Sequence, residues 1–86
     1  MGKVAVTYRI MPEGAEIDVS ALESSVRKSL GSAVRDVAVR PIAFGLKALE
    51  TTVVVEDAAG QAEQIEDRLR GLAGVGEVET LGVTLL

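Results

Sequence analysis

Six segments in the order β-α-β-β-α-β run along this 86-residue chain. Apolar residues recur at every second position near 3–10, 34–39, 49–55 and 75–85, and at three- and four-residue spacings in two stretches between them. The two β-α-β halves meet at Pro41-Ile42-Ala43-Phe44-Gly45-Leu46-Lys47-Ala48-Leu49. A Pro followed three residues later by Phe-Gly signals a turn, because Pro fixes φ and Gly permits positive φ. Two β-α-β units around a central hairpin predict an α+β, ferredoxin-like βαββαβ sandwich: a four-stranded antiparallel sheet with both helices on one face. Right-handed crossovers are expected to set the first and third strands parallel at the centre, with the second and fourth on the edges. The hairpin turn and both chain ends should then gather at one end of the sheet, with Phe44 beside Leu86.

The elements follow in order. From Lys3 to Ile10, Val4, Val6, Tyr8 and Ile10 take one side and Lys3, Ala5, Thr7 and Arg9 the other, which predicts a half-buried strand. Met11-Pro12-Glu13-Gly14 ends it. Two overlapping signals then start a helix: Asp18 as cap, with Ile17 and Leu22 as hydrophobic staple, or a capping box of Ser20 and Glu23. The helix carries Leu22, Val26 and Leu30 at spacings of four, and Gly31 stops it. Val34 to Val39 reads as the second strand, with Val37 and Val39 opposite Asp36, Ala38 and Arg40. The third sets Leu49, Thr51, Val53 and Val55 against Glu50, Thr52 and Val54, and Asp57-Ala58-Ala59-Gly60 ends it. The second helix, about Gln61 to Leu72, has Ala62, Ile65, Leu69 and Leu72 on one stripe; its charges run from acidic to basic, as the helix dipole favours. The last strand, Val75 to about Leu85, alternates imperfectly.

Length predicts a single domain, residues 1–86. A hydrophobic content of 48% argues against disorder and supports a small core filled by Val, Leu, Ile and Ala, since Tyr8 and Phe44 are the only aromatics. No apolar run approaches the ~20 residues of a membrane span, and the N-terminus lacks a signal-peptide apolar region. The chain has no cysteine, which fits a cytoplasmic protein. A net charge of −4 disfavours nucleic acid, which needs a basic face. The absence of His, Cys, Asn and Trp removes imidazole bases, thiol nucleophiles and His/Cys metal sites, so no enzyme mechanism is expected.

The remaining motifs carry little chemistry. Gly71-Leu-Ala-Gly-Val-Gly76-Glu77 has phosphate-loop glycine spacing, but Glu77 stands where Lys is needed and the order runs from helix into strand. The acids Glu56, Asp57, Glu63, Glu66 and Asp67 match no calcium loop, and acids at a helix start are favourable without metal. No histidine activates Ser20, Ser24, Ser25, Ser29 or Ser32. RNA-binding modules share this element order but stack bases on strand aromatics. Here only Tyr8 lies on a central strand, on the core side. Acylphosphatases share the order too, but need an Asn that this chain lacks. Phe44 stays open between core anchor and projecting contact: a lone aromatic is commonly core, whereas turn tips face solvent and hold binding residues.

Met11-Pro12 after the first strand, the PIAFGLKAL stretch, the Thr-Val-Val-Val run and the helix ending Gly-Leu-Ala-Gly-Val-Gly-Glu-Val together resemble the archaeal elongation factor 1-beta family over essentially the whole chain. The resemblance implies guanine-nucleotide exchange on elongation factor 1-alpha, a GTPase, with no nucleotide, metal or other cofactor bound by the factor itself. It implies partner contacts at Pro41, Ile42, Ala43, Phe44, Gly45 and Lys47, with the aromatic against the GTPase's nucleotide-binding domain, and at the C-terminal Leu86. Eukaryotic members also direct a basic side chain near the C-terminus towards the Mg²⁺ position. This chain ends Val83-Thr84-Leu85-Leu86, with no Lys or Arg after Arg70, so that device is missing here. The alternative reading is a ferredoxin-like small-ligand-binding or oligomerising regulatory module.

Overall fold

The computed structural model describes residues 2–56 and 60–86. Its elements are β1 (Lys3–Pro12), α1 (Val19–Leu30), β2 (Val34–Pro41), β3 (Lys47–Glu56), α2 (Gln61–Arg70) and β4 (Val75–Leu85), the predicted order. They form one four-stranded sheet in the order β2-β3-β1-β4, in which every neighbouring pair is antiparallel.

The central pair corrects the expected arrangement. β1 and β3 are antiparallel, with Lys3 opposite Glu56 and Ile10 opposite Leu49. The hairpin from β2 to β3 therefore sits beside the end of β1. β4 is antiparallel to β1 as well, so it starts beside Pro12 and finishes beside Val4. The Leu86 N–H donates to the Lys3 carbonyl at 3.0 Å, closing the opposite end. Phe44 and Leu86 are thus not neighbours. The ten-residue length of β1 separates their ends of the sheet by ~30 Å, at about 3.3 Å per residue. The physical reason is that each crossover brings a strand back parallel with one slot left between. The strand that fills the slot must run the other way.

Alternation in the sequence becomes layering in the fold. Val4, Val6, Tyr8 and Ile10 of β1 are buried, and Leu49, Thr51 and Val53 of β3 face the same way. The helices lay Leu22, Val26 and Leu30 (α1) and Ile65 and Leu69 (α2) on this surface. Tyr8, Ile10, Leu49 and Leu69 are fully buried at its centre. On β2, Val37 packs against the core, while Val39, two residues nearer the hairpin, is 45% exposed.

Of the two helix-start signals, the structure uses Asp18. Its carboxylate accepts the Ser20 N–H at 2.9 Å, while Glu23 pairs with Arg27 at 3.1 Å instead of reaching back. Ile17 packs against the core beside buried Leu22, as the staple requires. Gly31, at φ 56°, ends α1. α2 is two residues shorter than expected, because Gly71 takes its cap and Leu72 turns back to the Leu69 carbonyl. β4 alternates poorly because its register against β1 slips between Thr7 and Tyr8, a bulge that leaves Leu81 extra. The expected strand end at Asp57-Ala58-Ala59 lies outside the described residues.

Candidate functional site

The hairpin joining β2 to β3 is built to hold a tip away from the sheet. Pro41, the last residue of β2, faces Lys47 across the ladder. Pro cannot donate to a ladder and is tolerated on an edge strand such as β2. One step further out, the Ile42 N–H donates to the Leu46 carbonyl at 2.8 Å. Only Ala43, Phe44 and Gly45 remain beyond this last rung.

Phe44 has φ 63° and ψ 30°, in the left-handed region, and is the only non-glycine residue with positive φ among the described residues. Gly45 follows at φ 76°. Two successive left-handed residues are what a type I′ turn requires, and Asn, Asp or Gly normally fill both places. A β-carbon in this conformation costs ~1–2 kcal/mol. The Phe44 side chain is also 98% exposed, so no burial offsets that cost. Phe44 is therefore a projecting residue and not a core anchor.

The base of the tip is polar and partly apolar. Arg40 pairs with Glu50 at 3.5 Å, whereas Lys47 forms no ion pair among the described residues and is exposed. Ile42 and Leu46 are half-buried under the turn. Beside it a cleft of about 350 Å³ opens between Gly45, Leu46 and Lys47 of the hairpin, Pro12 at the end of β1, and Gly14 and Asp18 of the β1–α1 loop. No local pattern marks this wall, because Pro12 and Lys47 are brought together only by the antiparallel pairing of β1 with β3. Leu86, 61% exposed, lies at the far end with Leu85 at 75% and Val83 at 60%. The structure thus groups Pro41, Ile42, Ala43, Phe44, Gly45 and Lys47 in one hairpin and sets Leu86 apart from them.

No set of three or more metal-ligating side chains is gathered among the described residues. Gly71 caps α2 and Gly74 turns at φ 89°, so the glycine run is a helix exit.

A family model described as the EF-1 guanine nucleotide exchange domain matches residues 5–86. The chain belongs to that family. Among its relatives, a protein named elongation factor 1-beta from Methanoculleus marisnigri is 42% identical over the full length of both chains. Proteins of the same name from Methanothermobacter thermautotrophicus and Methanoregula boonei are 39% and 38% identical, each alignment covering at least 99% of both chains. Among solved structures, the ACT domain of a Chlorobium tepidum GTP pyrophosphokinase superposes with a TM-score of 0.70, covering 93% of this chain and 88% of that one. At 19% identity that likeness shows the ferredoxin-like fold alone.

Proposed function

We propose that this guanine nucleotide exchange factor of translation elongation acts on elongation factor 1-alpha, in the cytoplasm, as a single domain that makes and breaks no covalent bond. Its partner contact is the hairpin Pro41, Ile42, Ala43, Phe44, Gly45 and Lys47, with the Phe44 ring as anchor. The observation that carries the reading is Phe44 itself: a side chain 98% exposed on a left-handed backbone has no role in the core. Aromatic anchors of this kind dominate binding energy where they fill a partner's pocket. Lys47, exposed at the base of the tip, supplies a cation for an acidic group on the partner's rim.

An exchange factor works by linkage. If it binds the nucleotide-free GTPase more tightly than the GDP-bound form, GDP affinity falls by the same ratio. Mg²⁺ and phosphate contacts order the switch segments of a GTPase, so a ring wedged beside them favours the empty state. Residues 71–86 contain no Lys or Arg, so the wedge at Phe44 carries this effect without a cation from β4. The test is release of labelled GDP from the cognate elongation factor 1-alpha. Release should accelerate with added protein and saturate; release at the intrinsic rate at every concentration would overturn the assignment.

A further inference from the structure

An exposed side chain presents a problem that a buried one does not: nothing packs against it to fix its direction. With Phe44 98% exposed, the direction in which Cβ leaves the chain is set by the backbone alone. That backbone is the left-handed pair Phe44 (φ 63°) and Gly45 (φ 76°), closed by the Ile42–Leu46 hydrogen bond of 2.8 Å. We infer that Gly45 is a positioning residue for exchange: by accepting positive φ without strain, it holds Phe44 in the left-handed state that aims the ring at the partner.

This rests on the reading of Phe44 as the partner contact. Two local facts single out Gly45. A Cβ built on Gly45 meets no atom within 4 Å beyond its two chain neighbours, so a substitution there acts chiefly through the backbone. Phe44 already carries the strain of a left-handed L-residue, and a second one beside it makes the alternative turns, with negative φ at both places, the cheaper solution. Such a turn would close the same hairpin while sending the Phe44 Cβ off in another direction. The core would be unchanged, because neither residue touches it. Gly45 could instead be glycine because a partner's backbone approaches it closely, and the two explanations part on which replacements are tolerated.

The test compares Gly45→Val, Gly45→Asn and, by chemical synthesis, Gly45 replaced by D-alanine. Val resists positive φ, Asn tolerates it and D-alanine prefers it. GDP release from elongation factor 1-alpha is measured across a range of factor concentration, with thermal midpoints for each variant. Since Phe44 is the only phenylalanine, 4-fluorophenylalanine labels the tip alone, and its ¹⁹F resonance reports the turn without any partner. Gly45→Val should lower the rate per unit factor roughly tenfold or more, the scale of a misplaced interface anchor, and should shift the ¹⁹F resonance. The Asn and D-alanine variants, which keep the positive φ, should lose clearly less than Val and leave the ¹⁹F resonance at the parent position. All three should keep the parent's cooperative melt. If Asn and D-alanine lose as much as Val, close approach explains the glycine and the inference falls. If Val exchanges like the parent with an unmoved resonance, it falls as well. If the parent itself fails to accelerate release, the partner reading fails, while the resonances of the Val and D-alanine variants still decide whether Gly45 sets the tip.

Discussion

The Tyr8 hydroxyl donates to the Ala62 carbonyl at 3.1 Å, tying the middle of the central strand to the first turn of α2. The bond gives the only large polar group on the β1 core face a partner, so Tyr8 can be fully buried. Tyr8→Phe keeps the ring and removes the bond. It should cost about 1 kcal/mol, the net worth of one hydrogen bond. For a domain this size that is a fall of ~4–8 °C in the thermal midpoint. An unchanged midpoint would mean that the bond contributes nothing.

The same hydroxyl sets an alkaline limit. Burial, and secondarily the Glu66 carboxylate, raise its pKa above the usual 10.0. The folded state thus holds this proton more tightly than the unfolded state, so the stabilisation is complete below pH ~10 and drains away as pH rises through the folded pKa. A midpoint followed from pH 8 to 11.5 should fall at the top of that range in the parent and fall less in Tyr8→Phe. Parallel curves would contradict the assignment.

Tyr8 also marks what could be read from residues alone. The alternation of Val4, Val6, Tyr8 and Ile10, the Leu22-Val26-Leu30 stripe and the Asp18 cap are local patterns, and each reports directly which side meets the core. The mutual direction of β1 and β3 is not local. It follows from which slot each strand fills, and the expectation of a parallel central pair put Phe44 and Leu86 together when they lie at opposite ends. The β4 bulge at Leu81 and the β1–α1 loop beside Lys47 were hidden for the same reason, since both depend on register. The exposure of Phe44 was undecided because its sequence neighbourhood suits core and tip equally. Its 98% exposure in the fold settles it.

Opposite Tyr8 on β3, Thr51 is fully buried and its hydroxyl has no partner among the described residues. A buried orphan hydroxyl costs ~1–3 kcal/mol. Thr51→Val is close to isosteric and should raise stability by about 1 kcal/mol in chemical denaturation, with an unchanged slope. Destabilisation would show that the hydroxyl is satisfied in solution.

The separation of the two ends gives a matched pair of variants. Phe44→Ala creates no cavity, because the ring is exposed, and should leave the midpoint within about 3 °C while lowering GDP release at least ~10-fold, as loss of an interface anchor does. Leu86→Ala, ~30 Å away along the strands, should leave release within about twofold, the small effect of a residue outside the contact. Equal losses from the two would place the contact over both ends and contradict a hairpin-only surface.

The two sheet edges differ in protection. β2 carries Arg35, Asp36, Arg40 and Pro41, all features that discourage strand addition, whereas residues 80–86 carry no charged side chain and expose Leu81, Val83, Leu85 and Leu86. Val83→Lys should change stability by less than ~0.5 kcal/mol, as exposed substitutions do. It should also slow heat-induced aggregation followed by light scattering; an unchanged aggregation rate would show that this edge is not the sticky one.

The hydrogen bond between Leu86 and Lys3 has a practical corollary. Both strand ends leave the sheet at the pole opposite Phe44, so a tether attached there, to a bead, a dye or a sensor surface, leaves the aromatic tip pointing into solution. Immobilised in that orientation, the factor can be offered to elongation factor 1-alpha without occluding Phe44, the contact proposed above.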